Sequence, residues 1–487
     1  MENGNSAIRP HAVIFPFGAL GHIRPLEQLA RRLAHVYGFK VTFVVTSHFY
    51  KRMDFTDSKN GEDSIQYVDL EEGFPDSYYH MTALKTLVFA LGTLGPSLKE
   101  LLGRIHSEVH PVTCVISDQV FTEAHRTALH HGIPSVAFVT SSAMAVTAKY
   151  YGPRFIDEGL LPIPKSPAEA KEALSQTVTI VPGMHPMRLG DYHSGLWVND
   201  ITEPFFQYVI GDHSKNLHER DWILVNSIYE LEAPLLEAVQ QDVGIKFTTV
   251  GPLAITPITT TEPFDVNNNE DNKISNYSPE EKKCMDWLNK QEPTSVIYVS
   301  FGSFAVISAS NLEKILLGLE DSQVPILMVM RPDLLEGNQN SIKGFQERTK
   351  ERALFVSWAP QLKILAHPAI AGFLTHGGWN SFLESISMGV PFLCHPFFVD
   401  QPMVSRYIAS VWKVGLELKQ EDGTLDRVDV EQKVRALAAK ESGIRANAAA
   451  WRDVVRGAVE DGGSSQRNMV AFVADMYKRA QAVKSRT

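Results

Sequence analysis

AVIFPFGALGHIRPLEQLARRLAHVYGFKVTFVVT, residues 12–46, decides the fold. Its ends, AVIFPF (12–17) and VTFVVT (41–46), are short apolar runs rich in β-branched and aromatic residues, the pattern of buried strands. Between them Leu26, Leu29, Ala30 and Leu33 recur at i, i+3, i+4 and i+7, one face of a helix. Pro25 lies near the start of that helix and Gly38 just past its end. Strand, helix and strand in this order form one βαβ unit.

Outward from this unit the same alternation continues, as expected of a parallel sheet wrapped by helices. Further strand-like runs are IQYVDL (65–70), TCVIS (113–117), SVAFVT (135–140) and WILVNS (222–227). A second series comprises SVIYVSF (295–301), PILMVM (325–330), ALFVSW (353–358), AGFLTH (371–376) and FLCHP (392–396). The two series are separated by residues 251–281, rich in Pro, Thr, Asn and acidic residues and without apolar periodicity, which read as a linker. The expected organisation is an α/β chain of two doubly wound Rossmann-like domains, 1–250 and 282–465. A final helix over 466–487, carrying Met469, Phe472, Val473 and Met476, is expected to pack back on the first domain. Two such domains leave a cleft where the carboxyl ends of their strands face each other, the preferred ligand site of open α/β sheets.

Composition narrows the function. Of 487 residues, 46 are Lys or Arg and 56 are Asp or Glu, giving a net charge of −10, which argues against nucleic-acid binding and a basic membrane surface. Hydrophobic residues at 44% provide for an ordinary core. Cys114, Cys284 and Cys394 lie far apart, so neither a disulfide framework nor a CxxC metal clamp is expected. The amino-terminal apolar run has no basic segment before it and no cleavage site after it. No stretch reaches the ~20 apolar residues that span a bilayer. These readings predict a cytosolic protein with no membrane span, as a monomer.

The strongest local signal is WAPQLKILAHPAIAGFLTHGGWNSFLESISMGVPFLCHPFFVDQ, Trp358 to Gln401. At its centre a strand leads through Gly377 and Gly378 into a helix beginning near Trp379. The glycines allow close backbone approach to a ligand, and the free N–H groups of the helix start favour phosphate. His376, Asn380 and Ser381 add side-chain donors beside them. Glu384 shares the helix face of Asn380 and Ser381, where it can accept hydrogen bonds from ribose hydroxyls. Trp358 can stack on a base and Gln361 can bond the base or its ribose. Asp400 and Gln401 end the block after a further strand, in a place to bond sugar hydroxyls. A Gly-Gly before a helix is by itself ordinary turn chemistry; the conjunction within one block is what disfavours that reading and points to a site for phosphate and ribose.

A second constellation sits in the first half. PFGALGH places His22 after the first strand, where a neutral imidazole can take a proton from an acceptor hydroxyl. Asp118 ends the TCVIS run, where its carboxylate can hold the His22 Nδ1–H and stabilise the imidazolium. Phe17, Gly18, Phe121 and Phe206, on loops after the amino-terminal strands and in DITEPFFQYV (200–209), are candidates for an apolar acceptor pocket.

The Trp358–Gln401 block closely resembles the nucleotide-sugar signature of plant-type UDP-dependent glycosyltransferases. Trp358, Gln361, His376, Trp379, Asn380, Ser381, Glu384, Asp400 and Gln401 stand in that family's spacing, and the resemblance extends to residues 16–30, 222–232 and 293–303. It implies the two-domain GT-B fold, with donor contacts from these residues and from Ala359, Ser303 and Thr140. It also implies His22 as general base and Asp118 as its orienting partner. Gln401 resembles the residue that accompanies glucose donors. Three positions depart from the family pattern: Gly377 replaces a common Cys, His395 stands where Trp is frequent, and QVFTEAHRTAL after Asp118 lacks a Trp.

The resulting expectation is an inverting, metal-independent glucosyl transfer from UDP-glucose to a hydroxyl of a small lipophilic acceptor, phenolic, flavonoid or terpenoid. It needs no cofactor besides the UDP-sugar co-substrate, and the block has no DxD arrangement for a divalent cation. Alternatives are C-glycosylation at the same site, a sugar-nucleotide epimerase or phosphorylase, and a non-catalytic UDP-sugar binder. A nicotinamide dehydrogenase is disfavoured because GALGH is not GxGxxG.

Overall fold

Strands buried on both faces read as continuous apolar runs, and such strands assemble into parallel sheets covered by helices. The structure, a computed structural model, describes residues 8–53, 64–79, 84–107, 111–212, 216–256, 279–302, 307–330, 339–421 and 423–484. Most of the linker reading, residues 257–278, and Ser303 lie outside the described residues.

The first sheet comprises β1 (His11–Phe15), β2 (Lys40–Thr46), β3 (Ile65–Leu70), β4 (Cys114–Asp118), β5 (Ser135–Val139), β6 (Trp222–Val225) and β7 (Phe247–Thr249). Its order is β3-β2-β1-β4-β5-β6-β7, and every pairing is parallel. The second sheet comprises β8 (Val296–Ser300), β9 (Ile326–Val329), β10 (Ala353–Val356), β11 (Ile370–Thr375), β12 (Phe392–Cys394) and β13 (Gly415–Glu417). Its order is β10-β9-β8-β11-β12-β13, again all parallel. Each sheet therefore reverses direction once, between β1 and β4 in the first and between β8 and β11 in the second. Ligands of open α/β sheets bind at that reversal. The edge strands β7 and β13 escaped the sequence reading because each has only three residues and no apolar run of its own.

Helix α1 (Leu20–His35) buries Leu26, Leu29, Ala30 and Leu33 against the first sheet, each fully. It starts earlier than its apolar period indicates, so His22 lies in its first turn and Pro25 lies inside it. Helices α2 (Thr122–His130) and α3 (Ala143–Tyr150) follow β4 and β5. Helix α4 (Tyr229–Val243) sends Glu232 to the start of α3, where its carboxylate accepts from Met144 N at 2.8 Å and from Ser227 Oγ at 2.6 Å. In the second half, α5 (Trp379–Met388) follows β11 and α6 (Gln401–Arg406) follows β12.

Buried apolar side chains form one cluster that runs through both halves, including Val139, Phe155 and Phe206 from the first and Tyr298, Phe373 and Phe382 from the second. The outer face of each sheet has its own cluster. The terminal helix α7 (Ser464–Lys484) inserts Met469, Phe472 and Met476 into the outer cluster of the first sheet. Trp222 donates its Nε1–H to Asp475 at 2.9 Å and packs its ring edge-on to Phe472, while Asn468 donates to Thr249 O at 2.9 Å. Among the described residues no helix is long and apolar enough to cross a membrane.

Because Phe472 is fully buried, Phe472→Ala should destabilise the protein by about 3–5 kcal/mol, read as a lower urea midpoint; an unchanged midpoint would mean that α7 contributes nothing to the fold.

Candidate active site

Both direction reversals deliver helix N-termini to one cavity of about 350 Å³, within the usual range for a small-molecule site. Its wall takes His22 from α1, Thr140 from the end of β5, His376 after β11, Asn380 and Ser381 from α5, and Asp400 and Gln401 at the start of α6. A parallel strand ends at the sheet rim and the next helix begins there, so residues distant in sequence meet at that rim.

On the first-sheet side, β1 and β4 are neighbours in register, Phe15 opposite Ser117, which brings the residues after them together. His22 Nδ1 lies 2.7 Å from Asp118 Oδ2 and 2.9 Å from Thr140 Oγ1. An ionised carboxylate only accepts, so Nδ1 carries the hydrogen and Nε2 keeps the lone pair. Asp118 is fully buried, and its other oxygen accepts from Val120 N at 3.0 Å, which fixes the carboxylate plane. His22 is about one-third exposed (30%), toward the cavity that it lines.

On the second-sheet side, the His376 ring is packed between Gly302 and Gly378. A Cβ on Gly302 would come within 2.8 Å of it and one on Gly378 within 2.4 Å. Gly377 has φ +78°, and a Cβ there would meet Ser405 Oγ at 2.6 Å, so the glycine in place of Cys follows from this backbone and this neighbour. Glu384 is held by Gln361, whose Nε2 donates to Glu384 Oε2 at 2.6 Å and to Ser381 Oγ at 3.1 Å, while Gln361 Oε1 accepts from Tyr298 OH at 3.3 Å. Trp358 follows β10 with half of its surface exposed, and Ala359 beside it is buried. The Trp379 indole points away from a donor role: it is buried, stacked on Phe382, and donates to Asn226 O at 2.8 Å. What Trp379 presents to the cavity is the start of α5.

Gln401 is oriented by its carbonyl, which accepts from Phe397 N at 2.9 Å and Phe398 N at 3.3 Å, leaving Nε2 as the donor. Val399 just before it has φ +58°, a strained conformation for a β-branched residue. Paired hydrogen bonds across the cleft hold it there, Val399 N to Ser194 Oγ at 2.7 Å and Ser194 N to Val399 O at 2.8 Å. Burial raises the carboxyl pKa of the adjoining Asp400, against the opposing pull of Lys149 and His22.

The acceptor side corrects two expectations. Phe17 and Gly18 line the cavity. Phe121 instead packs edge-on to Phe15 in the core, and Phe206 is fully buried. Their neighbours Val120, Phe205 and Tyr208 face the cavity, because a helix start rotates successive side chains to different sides. His395 is also a core residue, packed against Phe301 and Phe397, and burial lowers its pKa to about 4. Sequence reasoning missed Lys149 and His193, both buried at the cavity wall, since neither lies in a motif.

A further hydrogen bond couples the two sides beside His22. Pro25 has no N–H, so the carbonyl of Gly21, its i−4 partner in α1, has no helical donor. Asn380 Nδ2 donates to this carbonyl at 2.6 Å. The second-half helix start is thereby tied to the residue next to His22.

The layout of two facing Rossmann-like sheets, with the start of α5 and the His22–Asp118 pair on one cavity, is that of the GT-B fold. A family model described as "UDP-glucoronosyl and UDP-glucosyl transferase" matches residues 260–444. The chain is 34% identical to a 7-deoxyloganetin glucosyltransferase of Catharanthus roseus, over 97% of this chain and 98% of the relative. It is 33% identical to an (R)-mandelonitrile beta-glucosyltransferase of Prunus dulcis, over 94% and 95%. Among solved structures, Os79 from O. sativa in complex with UDP superposes with a TM-score of 0.77 at 27% identity, over 96% of this chain and 100% of that one. Phytolacca americana UGT2, complexed with UDP-2fluoro-glucose and pterostilbene, gives a TM-score of 0.77 at 25% identity, over 96% and 99%. The chain belongs to the plant UDP-glycosyltransferase family, and it is a UDP-glycosyltransferase enzyme.

Pro25→Ala supplies an N–H that competes for Gly21 O. It should lower kcat/KM for the UDP-sugar by about threefold, the worth of a fraction of one hydrogen bond, measured by UDP release; an unaltered value would show that Asn380 needs no such anchor.

Proposed function

We propose that the protein transfers glucose from UDP-glucose to a hydroxyl of a small lipophilic acceptor, with inversion and without a metal ion. The observation that carries this reading is the 2.7 Å His22–Asp118 pair opening into the same cavity as the start of α5. The acceptor O–H gives its proton to His22 Nε2 as its oxygen attacks the anomeric carbon, and the bond from that carbon to the diphosphate oxygen breaks on the opposite face. Attack from one face and departure from the other turn an α-linked donor into a β-glucoside. Asp118 stabilises the imidazolium, and Thr140 helps to hold the ring.

His376, Asn380, Ser381 and the N–H groups at the start of α5 take the diphosphate charge, with Ser303 assigned beside them from the family resemblance. Glu384, set by Gln361, accepts from the ribose, and Trp358 with Ala359 receives the base. Asp400 and the Gln401 amide bond the sugar hydroxyls. The relatives named for 7-deoxyloganetin and (R)-mandelonitrile support small hydroxylated acceptors, as do the apolar Phe17, Val120 and Tyr208 in the wall. A cytosolic location accords with three cysteines that are free and buried.

The test is UDP release from UDP-glucose across phenolic and terpenoid alcohols, with chelator present, and NMR of the product. His22→Ala should lower kcat by about 10²- to 10⁴-fold, the range for a general base, with UDP affinity retained. Full turnover in that variant, an α-linked product or loss of activity on chelation would each sink the reading.

A further inference from the structure

Helix α3 is buried along nearly its whole length, and apolar residues account for most of it. Lys149, near its carboxyl end, is the exception in charge but not in burial: its exposure is 6%. Its side chain lines the cavity. Among the described residues the ammonium has no hydrogen bond and no ion pair within 4.0 Å. Buried ammonium groups ordinarily have such a partner, because removing them from water is otherwise costly.

The acids that face Lys149 are Asp400 and Asp118. Asp118 is committed to His22 and to Val120 N–H. Asp400 influences Lys149 through space without reaching it. The imidazoles facing the same region are His22 and His193. His193 Nδ1 accepts from Gly195 N at 3.0 Å, so its hydrogen resides on Nε2, and burial, with the charge of Lys149 adding to it, keeps the ring neutral. Burial lowers the Lys149 pKa to about 8, which leaves it mostly charged at neutral pH. Lys149 and His193 thus add a cation and a neutral N–H donor to a cavity wall that also carries the apolar Phe17, Val120 and Phe205. A diphosphate belongs at the start of α5; a single planar anion with two acceptor oxygens suits Lys149 and His193.

We propose that Lys149 and His193 form a carboxylate-binding subsite of the cleft, so that the enzyme favours a co-substrate carrying a carboxylate that is bound and does not react. Given the glucosyl transfer proposed above, that group is borne either by the acceptor, with hydroxyl and carboxylate on one small scaffold, or by a uronosyl donor.

The experiment compares para-hydroxycinnamate with its methyl ester, using UDP-glucose, in the wild type, Lys149→Met and Lys149→Arg. A second arm compares UDP-glucuronate with UDP-glucose, using the methyl ester as acceptor. Calorimetry of para-hydroxycinnamate binding to the UDP-saturated proteins gives a readout independent of turnover. In one arm the wild-type kcat/KM ratio should favour the carboxylate, fall by about tenfold or more in Lys149→Met, as a hydrogen bond to a charged group is worth, and recover in Lys149→Arg. The arm that responds identifies the source. Equal ratios in wild type and Lys149→Met in both arms, with equal calorimetric affinities, overturn the subsite. No glucoside from either acceptor in the wild type would count against the glucosyl reading, and calorimetry would still decide the subsite.

Discussion

Two helix N-termini, those of α1 and α5, face one cavity from opposite sheets, and the hydrogen bond from Asn380 to Gly21 O spans the gap between them. The constraint is electrostatic as well as geometric. Each helix start presents unpaired N–H groups and a partial positive charge, so a shared cavity is built to receive an anion. Pro25 makes the bridge available by withdrawing the donor that Gly21 O would otherwise use. Trp379 reinforces it through Asn226, which follows β6 of the first sheet and also donates weakly to Asn380 Oδ1 at 3.4 Å.

Other links across the cleft work in the same direction. Ser194 holds Val399 in a left-handed conformation that no β-branched residue adopts without support, and this strained residue sits directly before Asp400 and Gln401. Arg406 reaches Asp191 at 3.1 Å, and Trp412 donates to Leu231 O at 3.2 Å. With a core cluster running through both halves, the two sheets behave as parts of one packed body rather than as domains joined by the linker alone. That packing is what keeps the His22–Asp118 pair of one sheet on the same cavity as the start of α5 from the other.

The parallel order of the sheets was legible because buried strands are apolar without interruption and helix faces repeat at 3.6 residues. The three-residue edges β7 and β13 carry too little pattern to be read. His22 and Asp118 were legible as a pair because strand ends in a parallel sheet converge on one rim. Phe121 and Phe206 were misjudged because an aromatic at a helix start turns inward or outward within a single residue, which no local pattern records. Pro25 looked like a helix start when it is an interior break in the hydrogen-bond ladder, and its use became visible only with Asn380 beside it.

The sequence by itself determined the fold class and the family, and it singled out the Trp358–Gln401 block and the His22–Asp118 pair, since each rests on periodicity or on spacing within strand-turn-helix units. Only the tertiary structure decided which acceptor-side residues line the cavity, why Gly377 replaces a Cys, and that Lys149 and His193 share the wall with Asp400. These depend on contacts between residues hundreds of positions apart, whose distances are set by how the two sheets pack and not by any local preference of the chain.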